Sequence, residues 1–487
     1  MSNIINFGGG ATLTPFKPEG KSYLTFSSPN SFTLAVGDAT KHWDGTLEYF
    51  SSNRTWTAWN GTTTLSSVDN DGEYVLYLRG TGNTVITGTS TNYKWVLTGT
   101  DISCIGNIEN LLDYATVESG NHPTMASYCY SSMFHGCTSL TKAPDLPATT
   151  LAESCYWFMF HGCTSLTQAP ALPATTLANY CYFNMFSGCT SLTKAPALPA
   201  TTLANNCYYY MFHGCTSLTQ APALLATTLA DYCYYNMFQG CTSLTQAPAL
   251  PATTLAPDCY SGMFNGCTAL TQAPALPATT LADYCYSEMF SGCTNLTQAP
   301  SLPATTLADS CYRKMFWGCT GLKLSSSKTG EYTQEYRIPT TGTGTTAIDA
   351  LTDMFTSTSG TFTGTPEINT TYYLSSNNMI VRDTEIATLN GYVGSMIDVA
   401  TPKILSVTLS ASSWDSTALT QTVTATGVLS DEMAQSITPT PALASQAAYY
   451  EAGILCTGQA ANSLTFTCET VPIVDLTVYV VVQEVVA

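Results

Sequence analysis

The cysteines are the side chains of this sequence with the widest choice of chemistry. There are 19 cysteines and only five histidines in 487 residues. Sixteen of the cysteines fall into two rows with a 26-residue period. The first row is Cys129, Cys155, Cys181, Cys207, Cys233, Cys259, Cys285 and Cys311, and the second is Cys137, Cys163, Cys189, Cys215, Cys241, Cys267, Cys293 and Cys319.

Three interpretations of these two rows compete. Zinc sites place two to four residues between paired cysteines, so the seven-residue spacing here does not favour metal binding. Disulfides between rows or neighbouring turns are compatible with stacked geometry, but synthesis in a reducing cytosol disfavours them. We therefore favour two ladders of small, buried, free thiols, and we expect no metal and no cofactor.

No set of residues has the spacing of a catalytic site. His135, His161 and His213 share one repeat position, which other units fill with Ser, Gln, Asn or Trp. A position that accepts all of these side chains does not hold a metal or relay a proton. The acidic residues are scattered, without a carboxylate pair suited to glycoside hydrolysis, and no nucleophile elbow or phosphate loop is present. We expect a protein that is not an enzyme, with a sugar depolymerase as the remaining enzymatic alternative.

The elements that carry these residues are set by the repeat itself. The dipeptide Met-Phe recurs with the same period from Met133 to Met315, and leucine rows keep the same register. A unit this short buries its apolar side only by stacking on the next unit. The sequence therefore predicts a solenoid of eight 26-residue turns over residues 101–324, with leucine rows in every turn.

Each unit divides into two stretches with different patterns. Tyr182, Met185 and Phe186 have the i, i+3, i+4 spacing of a helix, so we expect one or two helical turns that end at Gly188. The stretch that contains Pro170 and Pro173 should be extended, but proline cannot donate to a ladder. We expect a short or interrupted strand there.

The flanking regions have different compositions. We predict an N-terminal arm over 1–22, an all-β sandwich over 23–100 with a hairpin turn at Asp71-Gly72, a degenerate repeat and cap over 325–400, and a small C-terminal β-rich domain with one helix over 401–487.

Charge excludes some partners. Lys and Arg total 15 and Asp and Glu total 33, which gives a formal net charge of −18. Nucleic-acid binding needs a clustered basic surface, so no nucleic-acid partner is expected. No apolar run has the ~20 residues of a membrane span, and the N-terminus does not resemble a secretory signal. We expect synthesis in the host cytoplasm and no membrane insertion.

The repeat resembles a known family. Gly-Cys-Thr-Ser-Leu-Thr (162–167), the proline-ended strand and the Cys-Tyr-x-x-Met-Phe-x-Gly-Cys stretch (181–189) are similar to BspA-like leucine-rich repeats of bacterial surface proteins and of phages of gut bacteria. The C-terminal domain resembles a module of tail-fibre and other virion proteins of Firmicutes phages, through residues Pro441–Tyr450 and Asp475–Tyr479. These resemblances imply a binding surface, not an enzyme.

Function is expected where otherwise near-identical units differ. These positions are rich in aromatic and polar side chains, as binding loops of antibodies are, and aromatic rows suit sugar faces. They comprise Trp157, Phe158, Tyr180, Phe183, Tyr209, Tyr210, Tyr232, Tyr235, Tyr284, Arg313, Lys314 and Trp317. The alternative is that they only cover the rim of the core.

The resemblances imply a bacteriophage virion appendage, either a tail-fibre or a head-fibre component, that binds a host-surface glycan or protein. The N-terminal arm would contact phage structural proteins, and the chain would form a homo-oligomer, with a trimer favoured. The alternative is a bacterial cell-surface adhesin of the BspA-like type.

Overall fold

The computed structural model describes residues 15–20, 23–339, 347–381, 403–426, 428, 435–441, 445, 448–449 and 452–484. The chain divides into two compact units, residues 1–388 and residues 389–487. Most of the predicted N-terminal arm lies outside the described residues, as does the last part of the predicted cap. Within the described residues, no helix is long and apolar enough to cross a membrane.

The described part of the first unit begins with short strands in two sheets. The strands are β1 (Leu24–Ser28), β2 (Thr33–Val36), β3 (Thr46–Phe50), β4 (Trp56–Trp59), β5 (Leu65–Ser66), β6 (Val68–Asn70), β7 (Glu73–Thr81), β8 (Trp95–Thr98), β9 (Ile102–Ile105) and, in the first repeat, β10 (Leu140–Lys142). A seven-stranded sheet has the order β10-β9-β1-β7-β3-β4, with β6 paired to β7, and a three-stranded sheet has the order β5-β2-β8.

The predicted hairpin turn at Asp71-Gly72 is confirmed. Both residues have a positive φ, 59° and 88°, and they join β6 to β7, in which Asn70 pairs with Glu73. Two consecutive residues with positive φ form the turn that matches the twist of paired strands, and glycine at the second place favours it.

The core does not stop at the predicted boundary near residue 100. Strand β9 pairs with β1 on one side and, in parallel, with β10 of the first repeat on the other. One continuous apolar cluster extends from Leu24 to Leu374. The sequence analysis also missed the α-helix α1 (Asn110–Glu118), which carries a non-helical residue at Asp113. The first repeat is therefore built directly on the β region.

The repeats stack as coils, and each coil has a turn stretch that is not helical, so the helical prediction is wrong. In the coil around Tyr182, the amides of Tyr182 and Phe186 donate to Cys207 and Met211 of the next coil, at 3.1 and 2.9 Å. The amides between them close turns within the same coil, as Met185 does to the carbonyl of Tyr182 at 3.2 Å. Alternate amides thus tie adjacent coils together, whereas an α-helix would use them internally.

The turn stretch has a four-residue period. Positive φ angles recur at Tyr180 (59°), Asn184 (54°) and Gly188 (73°). Buried side chains recur with the same period, as Cys181 and Met185 do. Four residues are close to the 3.6 of an α-helix, so the apolar spacing alone could not separate the two structures.

The extended stretch of each coil forms isolated parallel bridges instead of a continuous strand. Bridges join Gln220 to Gln246 and Thr228 to Thr254, which are equivalent positions of adjacent coils. The residues between them include prolines, which have no amide to donate. Hydrogen bonding between coils therefore rests mainly on the turn stretch.

The far end of the array is closed by short sheets. Phe355 stacks on Phe316 with ring centroids 5.5 Å apart, and Met354 accepts the amide of Phe316 at 2.9 Å. The strands are β11 (Gln298–Pro300), β12 (Lys323–Ser325), β13 (Tyr332–Arg337), β14 (Ser359–Gly360), β15 (Thr371–Ser375) and β16 (Met379–Val381). They form sheets with the orders β13-β15-β12-β14 and β11-β16.

The described part of the second unit has antiparallel sheets of short strands. The strands are β17 (Lys403–Leu409), β18 (Thr420–Thr424), β19 (Gln435–Pro441), β20 (Leu455–Ala460), β21 (Ser463–Thr467) and β22 (Leu476–Glu484). They form two three-stranded sheets, β17-β22-β19 and β18-β21-β20. Leu409, Phe466 and Val478 are among the buried core residues. The one helix predicted for this domain, at residues 445–454, lies partly outside the described residues.

Candidate binding surface

The twelve predicted surface residues all lie in turn stretches and form four rows that run from coil to coil. Each row holds residues from equivalent positions of different coils. Row 1 contains Tyr180, Tyr232 and Tyr284; row 2 contains Trp157, Phe183, Tyr209, Tyr235 and Arg313; row 3 contains Phe158, Tyr210 and Lys314; row 4 contains Trp317 and, at the same position of other coils, His135, His161 and His213.

Row 2 is a stacked aromatic column. The ring of Tyr209 lies 4.6 Å from that of Phe183 and 4.6 Å from that of Tyr235, with interplanar angles of 8° and 9°. Trp157 continues the column at 6.2 Å from Phe183. The two faces of Tyr209 are therefore covered by its neighbours. A ligand can reach the ring edges of this column but not the face of Tyr209.

Row 1 differs from row 2 in its exposure. Tyr180 and Tyr232 are each 38% exposed and Tyr284 is 44% exposed. Neighbouring coils place Asn206 and Asp258 between these tyrosines. Because those side chains carry no ring, the row 1 tyrosines are not stacked on one another as the rings of row 2 are.

Row 3 occupies positions with left-handed backbone. The φ angles of Phe158, Tyr210 and Lys314 are 55°, 54° and 52°. Beside this row, the guanidinium of Arg313 lies 3.2 Å from the carboxylate of Glu288. This ion pair, about one third exposed, offsets the charge of Arg313, while Lys314 adds a positive charge at this end of the surface.

Row 4 is uncharged at neutral pH. Burial lowers the pKa of His135 to about 4, and it also lowers the pKa values of His161 and His213. The rings of His135 and His161 stack at 4.8 Å. Trp317, 44% exposed, occupies the same register near the end of the array. The lowered pKa values favour the neutral imidazoles, which pack against neighbouring rings, as His213 does edge-on against Tyr210 at 5.2 Å.

The edge beside row 1 is acidic. Burial raises the pKa of Asp258, and the charges of Asp231 and Asp283 raise it further, while a hydrogen bond from the hydroxyl of Tyr232 opposes the shift. Basic residues are few in the whole chain, 15 in 487. The edge beside row 1 therefore combines aromatic rings with neutral polar and acidic side chains, which disfavours an anionic ligand there.

The thiols face inward and not toward this surface. All 19 cysteines are free, and all sixteen of the two rows are buried. Burial raises the pKa of Cys181 and of Cys189 to about 12. Among the described residues, no group of three or more His, Cys, Asp or Glu side chains could hold a metal ion. The cysteine rows thus supply packing, as the favoured interpretation predicted.

The sequence analysis missed one regularity of this surface. Row 1 alternates tyrosine with a small polar residue, so its period is two coils and not one. A comparison of every second unit, instead of adjacent units, would have revealed it.

With this geometry in place, the array can be compared with known families. Residues 109–245 match the family model described as "BspA type Leucine rich repeat region", in six copies. The comparisons with curated proteins and with solved structures found no match. Residues 109–245 are thus BspA-type leucine-rich repeats, and such repeats indicate a surface or adhesin-like repeat protein.

Proposed function

We propose that this protein is a bacteriophage virion appendage, a tail-fibre or head-fibre component, whose array of eight 26-residue coils binds a host-surface glycan or protein. The observation that carries the proposal is the aromatic surface of rows 1 to 4 on a BspA-type repeat. Tyrosine and tryptophan supply large, rigid contact areas at low entropic cost. A regular array offers many similar weak subsites, so avidity supplies the strength of binding.

In this proposal the protein is a non-catalytic component of the particle. The N-terminal arm attaches it to phage structural proteins, and a homo-oligomer, with a trimer favoured, presents several arrays at once. The net charge of −18 argues against nucleic acid as a partner. The resemblance of the C-terminal residues Asp475–Tyr479 to modules of virion proteins supports a place on the particle.

The test of this proposal is the composition of purified particles. Mass spectrometry of washed virions should detect the chain at a stoichiometry typical of a fibre. Antibody against the full chain should reduce adsorption of the particles to host cells, whereas an antibody against an internal capsid protein should not. Absence of the chain from virions would overturn the proposal.

A cell-surface adhesin is the second candidate, and the BspA-type match favours it. The same antibody separates the two proposals. Labelling of intact uninfected bacteria that carry the gene would support the adhesin, and labelling of particles alone would support the virion protein.

A further inference from the structure

Row 1 has a two-coil alternation that the core does not require. Tyrosine stands at 128, 180, 232 and 284, and the coils between carry Ser154, Asn206, Asp258 and Ser310. The buried residues of the same coils repeat with every coil, as Tyr182 and Tyr208 do. Because the core repeats with every coil, packing does not account for an alternation over two coils. This alternation therefore indicates that row 1 contacts a ligand.

The row 1 tyrosines occupy an unfavourable backbone conformation. The φ angles of Tyr180, Tyr232 and Tyr284 are 59°, 55° and 56°. A left-handed residue costs roughly 1–2 kcal/mol for most side chains, and Asn and Asp tolerate this conformation best. Asn206 and Asp258 are therefore the residues that the backbone prefers at this position. The three tyrosines are 38–44% exposed, and Tyr180 and Tyr232 contact rings of row 2 only at tilted angles, so packing offsets part of this strain and not all of it. Strain of this kind marks functional positions.

The spacing of the tyrosines follows from the coil. Stacked strands lie about 4.8 Å apart, so equivalent atoms two coils apart are separated by roughly 10 Å. Tyr180, Tyr232 and Tyr284 thus form three ring platforms at equal intervals, with Asn206 and Asp258 as hydrogen-bonding groups between them. Along row 1 the rings are separated by coils that carry no ring, whereas on one side Tyr180 and Tyr232 adjoin row 2, with ring centroids 5.9 Å from Phe183 and 5.7 Å from Tyr235.

We infer that row 1 binds a linear, uncharged, β-1,4-linked polysaccharide, with every second sugar ring placed on one tyrosine. This inference rests on the proposed binding function and specifies its ligand. In an extended β-1,4-linked chain each sugar advances by about one coil, and successive sugars are turned over relative to each other. Sugars one, three and five then present the same face to Tyr180, Tyr232 and Tyr284, and the intervening sugars meet Asn206 and Asp258.

Charge selects among such polymers. Asp231, Asp258 and Asp283 lie along this edge, and they repel a polysaccharide that carries carboxylates or sulfates. The amide and carboxylate groups between the tyrosines are suited to hydroxyl groups, which donate and accept hydrogen bonds.

The test is calorimetric titration of the full chain with oligosaccharides of one to six sugars. The probes are β-1,4-linked glucose oligomers and β-1,4-linked N-acetylglucosamine oligomers. A trimer spans two tyrosines and a pentamer spans three, so affinity should rise in steps at three and at five sugars in at least one series. α-1,4-Linked glucose oligomers of the same lengths are the control and should not bind. A smooth rise with length, or equal binding of the α-linked series, would overturn the inference.

Variants place the binding on row 1. Tyr180→Asn, Tyr232→Asn and Tyr284→Asn introduce the residue that the structure already holds at Asn206, so the coils should still fold, which circular dichroism checks. Each single change should weaken pentamer binding by about three- to tenfold, and the triple variant should abolish the steps at three and at five sugars. Leu225→Asn changes an exposed apolar side chain of an extended stretch, outside row 1, and is the control that should retain both steps. Unchanged pentamer binding in the triple variant would contradict the assignment.

These outcomes are separable from the proposed function. If no oligosaccharide binds while the chain is found in virions and its antibody blocks adsorption, the ligand is wrong and the appendage function stands. If the oligosaccharides bind in steps and the chain is absent from virions, the ligand stands and the virion proposal fails.

Discussion

The thiol sulfur of Cys189 lies 3.1 Å from the carbonyl oxygen of Phe160, a residue of the preceding coil. The carbonyl oxygen of Phe160 also accepts a hydrogen bond from the amide of Cys163, at 3.1 Å. The thiol of Cys189 therefore donates to the second lone pair of this oxygen. The same contact recurs in other coils, as between Cys215 and Phe186. This row of cysteines therefore joins coils through hydrogen bonds as well as by filling space.

Replacement of Cys189 by Ala tests this role. The change removes one hydrogen bond to a buried carbonyl and leaves a small cavity, and we expect the free energy of unfolding to fall by about 1–2 kcal/mol. Urea denaturation of the array, followed by circular dichroism, measures it. Cys456→Ala, at a half-buried thiol of the second unit, is the control and should not move the transition of the array. Equal stability of the Cys189→Ala variant and the original would show that the sulfur contact contributes nothing.

Alkaline pH should destabilise the array. Burial raises the pKa of Cys137 to about 11 and that of Cys189 to about 12, whereas a thiol in the unfolded chain ionises near about 8.5. At a pH between the unfolded and the native pKa, the thiols are ionised in the unfolded chain but still protonated in the native protein. The free energy of unfolding therefore falls as pH rises, by up to about 1.4 kcal/mol per pH unit for each buried thiol. Below the unfolded value this contribution is fully present.

The measurement is urea unfolding at pH 7, 8, 9 and 10 with a reducing agent present. The midpoint should change little from pH 7 to 8 and drop steeply above pH 9, because many thiols titrate together. A midpoint that stays constant up to pH 10 would contradict the burial of the thiols.

Tyr209 should be a structural residue of the aromatic column. Tyr209→Ala removes the two stacked contacts of this ring, each at 4.6 Å, and we expect a loss of about 1–3 kcal/mol in the free energy of unfolding. Tyr209→Phe keeps both contacts and should change stability by less than about 0.5 kcal/mol. If the two variants are equally stable, the column is not held together by its stacking.

Lys314 offers a test of the left-handed positions. Its φ is 52°, and Gly262 occupies the equivalent place in another coil with a φ of 60°. Lys314→Gly should therefore raise the melting temperature, with a gain of about 1 kcal/mol from the relief of strain. Lys323→Gly, in strand β12, should instead lower it, since glycine weakens a strand. A loss of stability on Lys314→Gly would mean that contacts of the lysine side chain outweigh the strain.

The stacking of the units and their buried positions could be predicted from the sequence, because the same apolar residues recur at the same places in every unit. Met185, Leu192 and their equivalents recur in every unit at the same register, and a unit that cannot close its own core must stack. The inward position of Cys181 and Cys189 followed from the same regularity. The helix α1 was not foreseen, because Asn110–Glu118 lies outside the repeat and carries a non-helical residue at Asp113.

The tertiary structure alone decided which hydrogen bonds the turn stretch makes. Tyr182 and Phe186 have the same spacing in a helix and in a four-residue turn, so the pattern of buried residues did not distinguish the two. The stacking of the coils distinguished them, because the amide of Phe186 donates to the carbonyl of Met211 in the next coil at 2.9 Å.

The stacking of the coils also decided which aromatic rings are exposed to solvent. Tyr209 and Tyr232 are the same residue type in adjacent coils. The first is enclosed between rings of its own row, and the second is 38% exposed. The sequence determined that aromatic residues would cluster on these coils. Whether a ring face is covered depends on the side chain one coil away, and this neighbour is fixed only when the coils stack.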